Sequence, residues 1–180
     1  MKNNLRMCSI LAILCIFILG ACTTHQDEND QLDSSVDMAL EQAVSDAIIS
    51  HNRDRFRGDD KQIFATEYHE ILKTVVQDKS TEVYLLALYA QYQFEEGEAK
   101  LTGGGSNPCV ITFASADGLY SVTDYWEPED GENYESSLRS RFPEDILENG
   151  TDLSEPNAME ICNQRAIDYF EGRGNDLSEP

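Results

Sequence analysis

The stretch TEVYLLALYAQYQF, Thr81 to Phe94, sets the architecture of this sequence. Taken two residues at a time, one face carries Tyr84, Leu86, Leu88, Ala90, Tyr92 and Phe94, all apolar or aromatic. The other face passes from Val83, Leu85, Ala87 and Tyr89 to Gln91 and Gln93. Side chains alternate across a strand, so both faces of this one are apolar over most of its length. Such a strand belongs to a sheet covered on both sides at one end, with the two glutamines marking an end open to water.

On its N-terminal side, Ile63 to Val76 is rich in Phe, Tyr, Ile, Thr and Val and reads as a preceding strand, joined through Gln77-Asp78-Lys79-Ser80. On the other side Glu95-Glu96-Gly97 turns into Glu98–Thr102. Gly103-Gly104-Gly105-Ser106-Asn107 then interrupts, and Pro108 to Ala114 resumes. The triple glycine has no following Lys-Ser/Thr, so it reads as a strand break or bulge and not as a phosphate cradle. Asp117-Gly118 is a hairpin signal before Leu119 to Trp126. The result is an antiparallel meander of about four strands.

Helical patterns flank the meander. Val36, Ala39, Leu40, Ala43, Val44, Ala47 and Ile48 form one apolar stripe opposite Asp37, Glu41, Gln42 and Asp46. Ser34 with Asp37 suggests where that helix starts, and Gly58-Asp59-Asp60 breaks the chain after it. Tyr134, Leu138 and Phe142 line a short helix, Pro143 opens another that ends at Asn149-Gly150, and a last helix spans Asn157 to Glu171. The order predicts an α+β fold. An N-terminal helix packs on a curved antiparallel meander and C-terminal helices follow, by analogy cystatin-like or a nuclear-transport-factor-like cone. The pentapeptide Asp152-Leu153-Ser154-Glu155-Pro156 recurs as Asp176-Leu177-Ser178-Glu179-Pro180, far below solenoid repeat length.

Before the first helix the chain changes character. Lys2 and Arg6 precede the unbroken apolar run Ile10 to Leu19, of signal-peptide length and too short for a comfortable span. Leu19-Gly20-Ala21-Cys22 follows and resembles the lipobox of bacterial lipoproteins. That resemblance implies diacylglyceryl transfer to the Cys22 sulfur and cleavage between Ala21 and Cys22. Two acyl chains hold a protein stably where one is marginal. The organisation expected is a signal peptide over 1–21, an acidic tether over 22–33, one α+β extracytoplasmic domain over 34–172, and a tail over 173–180. The location expected is the outer face of the cell membrane, with the membrane itself as the partner of Cys22.

Composition agrees with a folded, tethered domain. Hydrophobic residues make up 41% of the 180, enough for a core and too many for an acidic disordered chain. Asp and Glu number 34 against 13 Lys and Arg, a formal charge of -21 that excludes nucleic acid as a partner by repulsion. Removal of residues 1–21 takes away two cations and no acid, moving the charge to -23. Cys8 and Cys15 leave with the signal and Cys22 is acylated. Cys109 and Cys162 remain, either paired across the domain or buried as two separate thiols.

Candidate chemistry is sparse. Glu67 lies two residues from His69 on one strand face, where a carboxylate raises the basicity of an imidazole. A hydrolytic role would rest on these two, but no nucleophile is implied by spacing and no catalytic residue is assigned. With Tyr89 and Tyr92 they are the candidate lining of a ligand cleft, since aromatics supply much of the area in such sites. His25, His51 and His69 lack His-x-x-x-His spacing, and Glu127-Pro128-Glu129-Asp130-Gly131-Glu132 lacks the alternate-position ligands of a calcium loop. Neither a metal site nor a cofactor is predicted.

The order of motifs is distinctive. It runs Glu67-x-His69-x-Ile71-Leu72, Val83-Tyr84-Leu85, Tyr89-x-x-Tyr92-x-Phe94, Gly103 to Pro108, and Val110-Ile111-x-Phe113. It ends in Pro128-x-Asp130-Gly131-x-x-Tyr134-x-x-Ser137-Leu138-Arg139-x-x-Phe142-Pro143. This resembles an uncharacterised family of Gram-positive extracytoplasmic lipoproteins, and the external C-terminal region of sensor metallopeptidases of the penicillinase-antirepressor type. The likeness runs over about residues 36–171. The chain departs from those peptidases in lacking His-Glu-x-x-His and a multispan region, so protease activity is not implied. What the resemblance implies is fold and location. The function expected is a lipid-anchored binding or sensing module with an envelope protein or a small ligand as partner, or alternatively a structural lipoprotein of an envelope assembly.

Overall fold

A computed structural model describes residues 27–53, 55 and 63–173, and of residues 27–37 the backbone alone. The predicted signal peptide, the cleavage site Ala21–Cys22, the break at Gly58-Asp59-Asp60 and the second pentapeptide lie outside the described residues. The elements in chain order are α1 Asp27–Arg53, β1 Ile63–Gln77, β2 Ser80–Glu95, β3 Glu98–Ala116, β4 Leu119–Trp126, a 3-10 turn Gly131–Asn133, α2 Tyr134–Arg141, α3 Glu144–Leu147 and α4 Ala158–Arg173. The strands form one open antiparallel sheet in the order β1-β2-β3-β4. The fold is α+β: an N-terminal helix, a four-stranded meander, then C-terminal helices.

β2 holds the molecule together. Thr81 and every residue from Val83 to Tyr92 are buried. One of its faces meets α1: Val83, Leu85, Ala87 and Tyr89 pack with Leu40, Val44, Ala47 and Ile48, joined by Cys109, Ile111 and Phe113 of β3. Its other face meets the C-terminal helices. Leu88, Ala90 and Tyr92 pack with Ala158, Cys162, Ala166 and Phe170 of α4. Tyr84 joins Val110, Leu138, Phe142 and Ile146 under α2 and α3. Full burial of a large apolar side chain stabilises by about 1.5–3 kcal/mol, so a strand buried on both faces contributes twice over per unit length.

The turns follow from local chemistry. Asp117 and Gly118 both take positive φ, 52° and 75°, the mirror-image turn that matches strand twist in a two-residue hairpin. α1 crosses the sheet from β1, where Glu41 meets His69, to β4, where His51 stacks on Tyr125.

Three expectations need correction. α1 begins at Asp27, not Ser34, so residues 27–33 of the predicted tether are helical backbone and Ser34 lies inside the helix. Nothing in residues 23–53 breaks a helix, since Gly and Pro are both missing there, and the acids Asp27, Glu28 and Asp30 suit a helix N-terminus. β3 runs unbroken through the glycines, with Gly103, Gly104 and Gly105 opposite Gln91, Ala90 and Tyr89. The irregularity is a bulge at Thr102, between the pairs Gln91–Gly103 and Tyr92–Leu101. A Cβ on Gly104 would sit 2.6 Å from the Tyr89 carbonyl oxygen, so the close approach of β3 to β2 requires glycine there.

The third correction concerns water. Gln91 is 2% exposed, not solvated. Its side chain accepts from the Tyr89 hydroxyl at 3.1 Å and donates to Thr102 Oγ1 at 3.5 Å, and that threonine hydroxyl donates to the Gln91 carbonyl at 3.2 Å. The bulge supplies the partner that lets an amide be buried. The first pentapeptide leads into α4. Glu70 on β1 accepts from the amides of Ser154 and Glu155 at 3.0 and 2.9 Å, and Leu153 packs on the α4 cluster. The two cysteines are free and lie on opposite faces, Cys109 toward α1 and Cys162 on α4.

Candidate functional site: an imidazole between two carboxylates

Strand parity places Glu67 and His69 together on the α1 side of β1, with Ala65 and Ile71. His69 Nδ1 lies 2.7 Å from Glu67 Oε2, and His69 Nε2 lies 2.8 Å from Glu41 Oε2 on α1. Carboxylates only accept, so ring protons at both nitrogens satisfy both contacts and make the ring an imidazolium. Burial by itself pulls the His69 pKa down. The hydrogen bonds and charges of Glu67 and Glu41 outweigh it, and the net shift is upward.

The two carboxylates differ. The Glu67 side chain is 7% exposed and that of Glu41 is 58% exposed, with His69 at 10% between them. Glu67 is also held through its backbone, where Arg165 Nη1 of α4 donates to its carbonyl oxygen at the sheet edge. Across the sheet Glu67 pairs in register with Tyr89 and His69 with Ala87.

Of the predicted ligand residues, the structure therefore brings Glu67, His69 and Tyr89 to one face. It does not bring Tyr92 there. Tyr92 faces α4, its hydroxyl 3.8 Å from Met159 Sδ, because a spacing of three puts it on the opposite side of β2 from Tyr89. The four do not line a common cleft. Two cavities lie away from these residues. One of about 490 Å³ runs between α1 and the β3–β4 hairpin, past Ala43, Ala47, Phe113 and Leu119. Another of about 310 Å³ lies between β1 and α3, past Glu70 and Ile146.

Sequence reasoning missed Glu41, which it assigned to the solvent face of α1. It sits 28 residues from His69, and periodicity alone carries no signal for a flank residue that turns back to a strand. It also missed a second polar group at the far end of α1. His51 stacks on Tyr125 with ring centroids 3.8 Å apart and planes 10° from parallel. Glu127, immediately after β4, is 3.5 Å from His51 Nε2 and pairs with Arg55. Burial pushes the Tyr125 hydroxyl well above the ordinary tyrosine range and the neighbouring Cys109 thiol to about 12.

Chemically, the first group binds a proton and joins two elements. With both nitrogens donating, His69 offers no lone pair to a substrate in this geometry. Among the described residues, no group of three or more His, Cys, Asp and Glu side chains has the arrangement of a metal site. No helix of the described residues is long and apolar enough to cross a membrane. Compared with known proteins, the chain matches no family model, no curated protein and no solved structure.

Proposed function

We propose that this chain is a lipid-anchored binding or sensing module on the extracytoplasmic face of a bacterial cell membrane. The observation that carries the reading is Leu19-Gly20-Ala21-Cys22 directly after the apolar run Ile10–Leu19. The resemblance to Gram-positive extracytoplasmic lipoproteins supports it. So does the charge of -23 left after cleavage, which opposes an anionic bilayer and leaves the acyl chains as the attachment.

Growth of cells expressing the chain with an alkyne-bearing fatty acid tests the anchor. The wild type is expected to take up label and to lose about 21 residues, while Cys22→Ser stays unlabelled as a precursor. Label retained by Cys22→Ser would overturn the anchor.

A structural or interaction role in an envelope assembly is the second reading, and one observation favours it. β4 pairs only with Val110–Ala116, so residues 98–109 of β3 have no strand partner on that side among the described residues. An open edge offers backbone donors and acceptors to an added strand. Purification from detergent-solubilised membranes separates the two: a stoichiometric protein partner favours assembly, and a small ligand favours sensing.

A further inference from the structure

Three features of the domain have no part in the anchor. The groove between α1 and the β3–β4 hairpin is apolar, but nothing in the structure shows what would fill it. The open edge of β3 offers backbone groups, but nothing in the structure shows which strand would pair with them. The bridge Glu41–His69–Glu67 is different, because its partners, distances and burial together define what changes when one proton leaves.

We propose that the Glu41–His69–Glu67 bridge is a proton-operated latch that fastens the middle of α1 to the sheet and opens as external pH rises. This deepens the sensing reading above and rests on it only for where the pH is sampled.

The direction of opening follows from the asymmetry of the two carboxylates. A neutral imidazole has one N–H, so one carboxylate must then face a lone pair. Glu67 is buried and cannot turn to water, and an unpaired buried carboxylate is costly, so the remaining proton stays at Nδ1 against Glu67. Glu41 is more than half exposed and can leave. Deprotonation therefore breaks the hydrogen bond between Glu41 and His69, which joins α1 to β1.

Other charges do not take over the role. Facing the imidazole are Glu67 from β1, Glu41 from α1 and, from β2, Ala87 with Tyr89 beside it. Arg165 of α4 engages the Glu67 carbonyl, not its carboxylate. Arg53, at the end of α1, acts electrostatically on Tyr89. Among the described residues, His69 is the ion-pair partner of both carboxylates. The C-terminal end of α1 keeps its own attachment through His51, Arg55 and Glu127, so opening is confined to the part of α1 before His51.

The sign is fixed by linkage. The folded-state pKa of His69 is raised, so the stabilisation is fully present below its unfolded value and is lost as pH rises through the folded value.

Amide hydrogen exchange on the full mature chain, corrected for intrinsic rates, tests this between pH 6 and 9. Protection of Ala39–Ile48 relative to α4 is expected to fall several-fold with rising pH, in step with the His69 ring titration followed by nitrogen NMR. In Glu41→Gln, whose side chain is exposed and whose fold is therefore retained, the ratio is expected to be flat and the ring pKa lower. A flat ratio in the wild type, a neutral ring at pH 6, or an undiminished titration of the ratio in Glu41→Gln would each overturn the latch. Fatty-acid labelling at Cys22 is read separately, so failure of the anchor and failure of the latch are distinguishable.

Discussion

The two faces of the sheet are built from different materials. Toward α4 the contacts are apolar and aromatic: Phe64 stacks on Tyr169 at 4.2 Å, and Phe94 lies 5.3 Å from Phe170. Toward α1 the same sheet carries the buried Glu67 and Gln91 and the half-buried His69 and Tyr125 among its aliphatic residues, and α1 adds the buried Asn52. Stacking of these rings engages no carboxylate or imidazole, and burial holds the Tyr92 hydroxyl and the Cys162 thiol uncharged, at about 12 and about 11. A buried carboxylate paired to an imidazole depends on a proton. Response and rigidity are thus divided between the faces: the α4 side keeps the domain rigid, and the α1 side carries the group that pH can alter.

That division is most exposed to test at Phe170, which is 2% exposed at the centre of the aromatic cluster. Phe170→Ala is expected to lower unfolding free energy by about 3–5 kcal/mol at every pH from 6 to 9, measured by urea denaturation. A loss that varied with pH would mean the faces are not separate. Next in size is Gly104→Ala, where the added Cβ meets the Tyr89 carbonyl at 2.6 Å. Overpacking of this kind costs about 1–3 kcal/mol, read as a shift in the same denaturation midpoint. An unchanged midpoint would show that β3 can move away from β2 without penalty.

The thiols, one on each face, give the mildest readout. Both are completely buried, and burial raises Cys109 to about 12 and Cys162 to about 11. Neither forms appreciable thiolate at pH 8. The native mature chain is expected to resist an alkylating reagent at both, and the urea-unfolded chain to react at both. Faster labelling of Cys109 at pH 9 than at pH 7, beyond its intrinsic reactivity, would report opening on the α1 side alone.

Much of this architecture is legible in the residues. The alternation in Thr81–Phe94 is enough to place β2 in the middle of a covered sheet, and Asp117-Gly118 to fix the last hairpin. The stripe Leu40, Val44, Ala47, Ile48 identifies the face of α1 that meets the sheet, and Tyr134, Leu138, Phe142 do the same for α2. The start of α1 is not legible, because an acidic run serves a tether and a helix N-terminus equally well. Continuity of β3 is hidden by glycine, whose low strand propensity is overridden here by the close approach that only glycine allows. At the candidate site the pair Glu67 and His69 is local and visible, and parity alone separates Tyr92 from Tyr89. Glu41 is neither local nor periodic, so its role needs the three-dimensional crossing of α1.

The meander also bears on how the molecule is made. Each strand pairs with its neighbour in the chain, and turns of two residues join them. Sequential pairing keeps loop closure short, which is the topology associated with fast assembly. A chain delivered through a membrane N-terminus first, as the proposed anchor requires, would present α1, then each hairpin in the order in which it pairs. α4, which covers the last apolar face, would arrive at the end. Until then Leu88, Ala90 and Tyr92 stand uncovered, so the last 16-residue helix sets how long a newly exported molecule remains prone to stick to its neighbours.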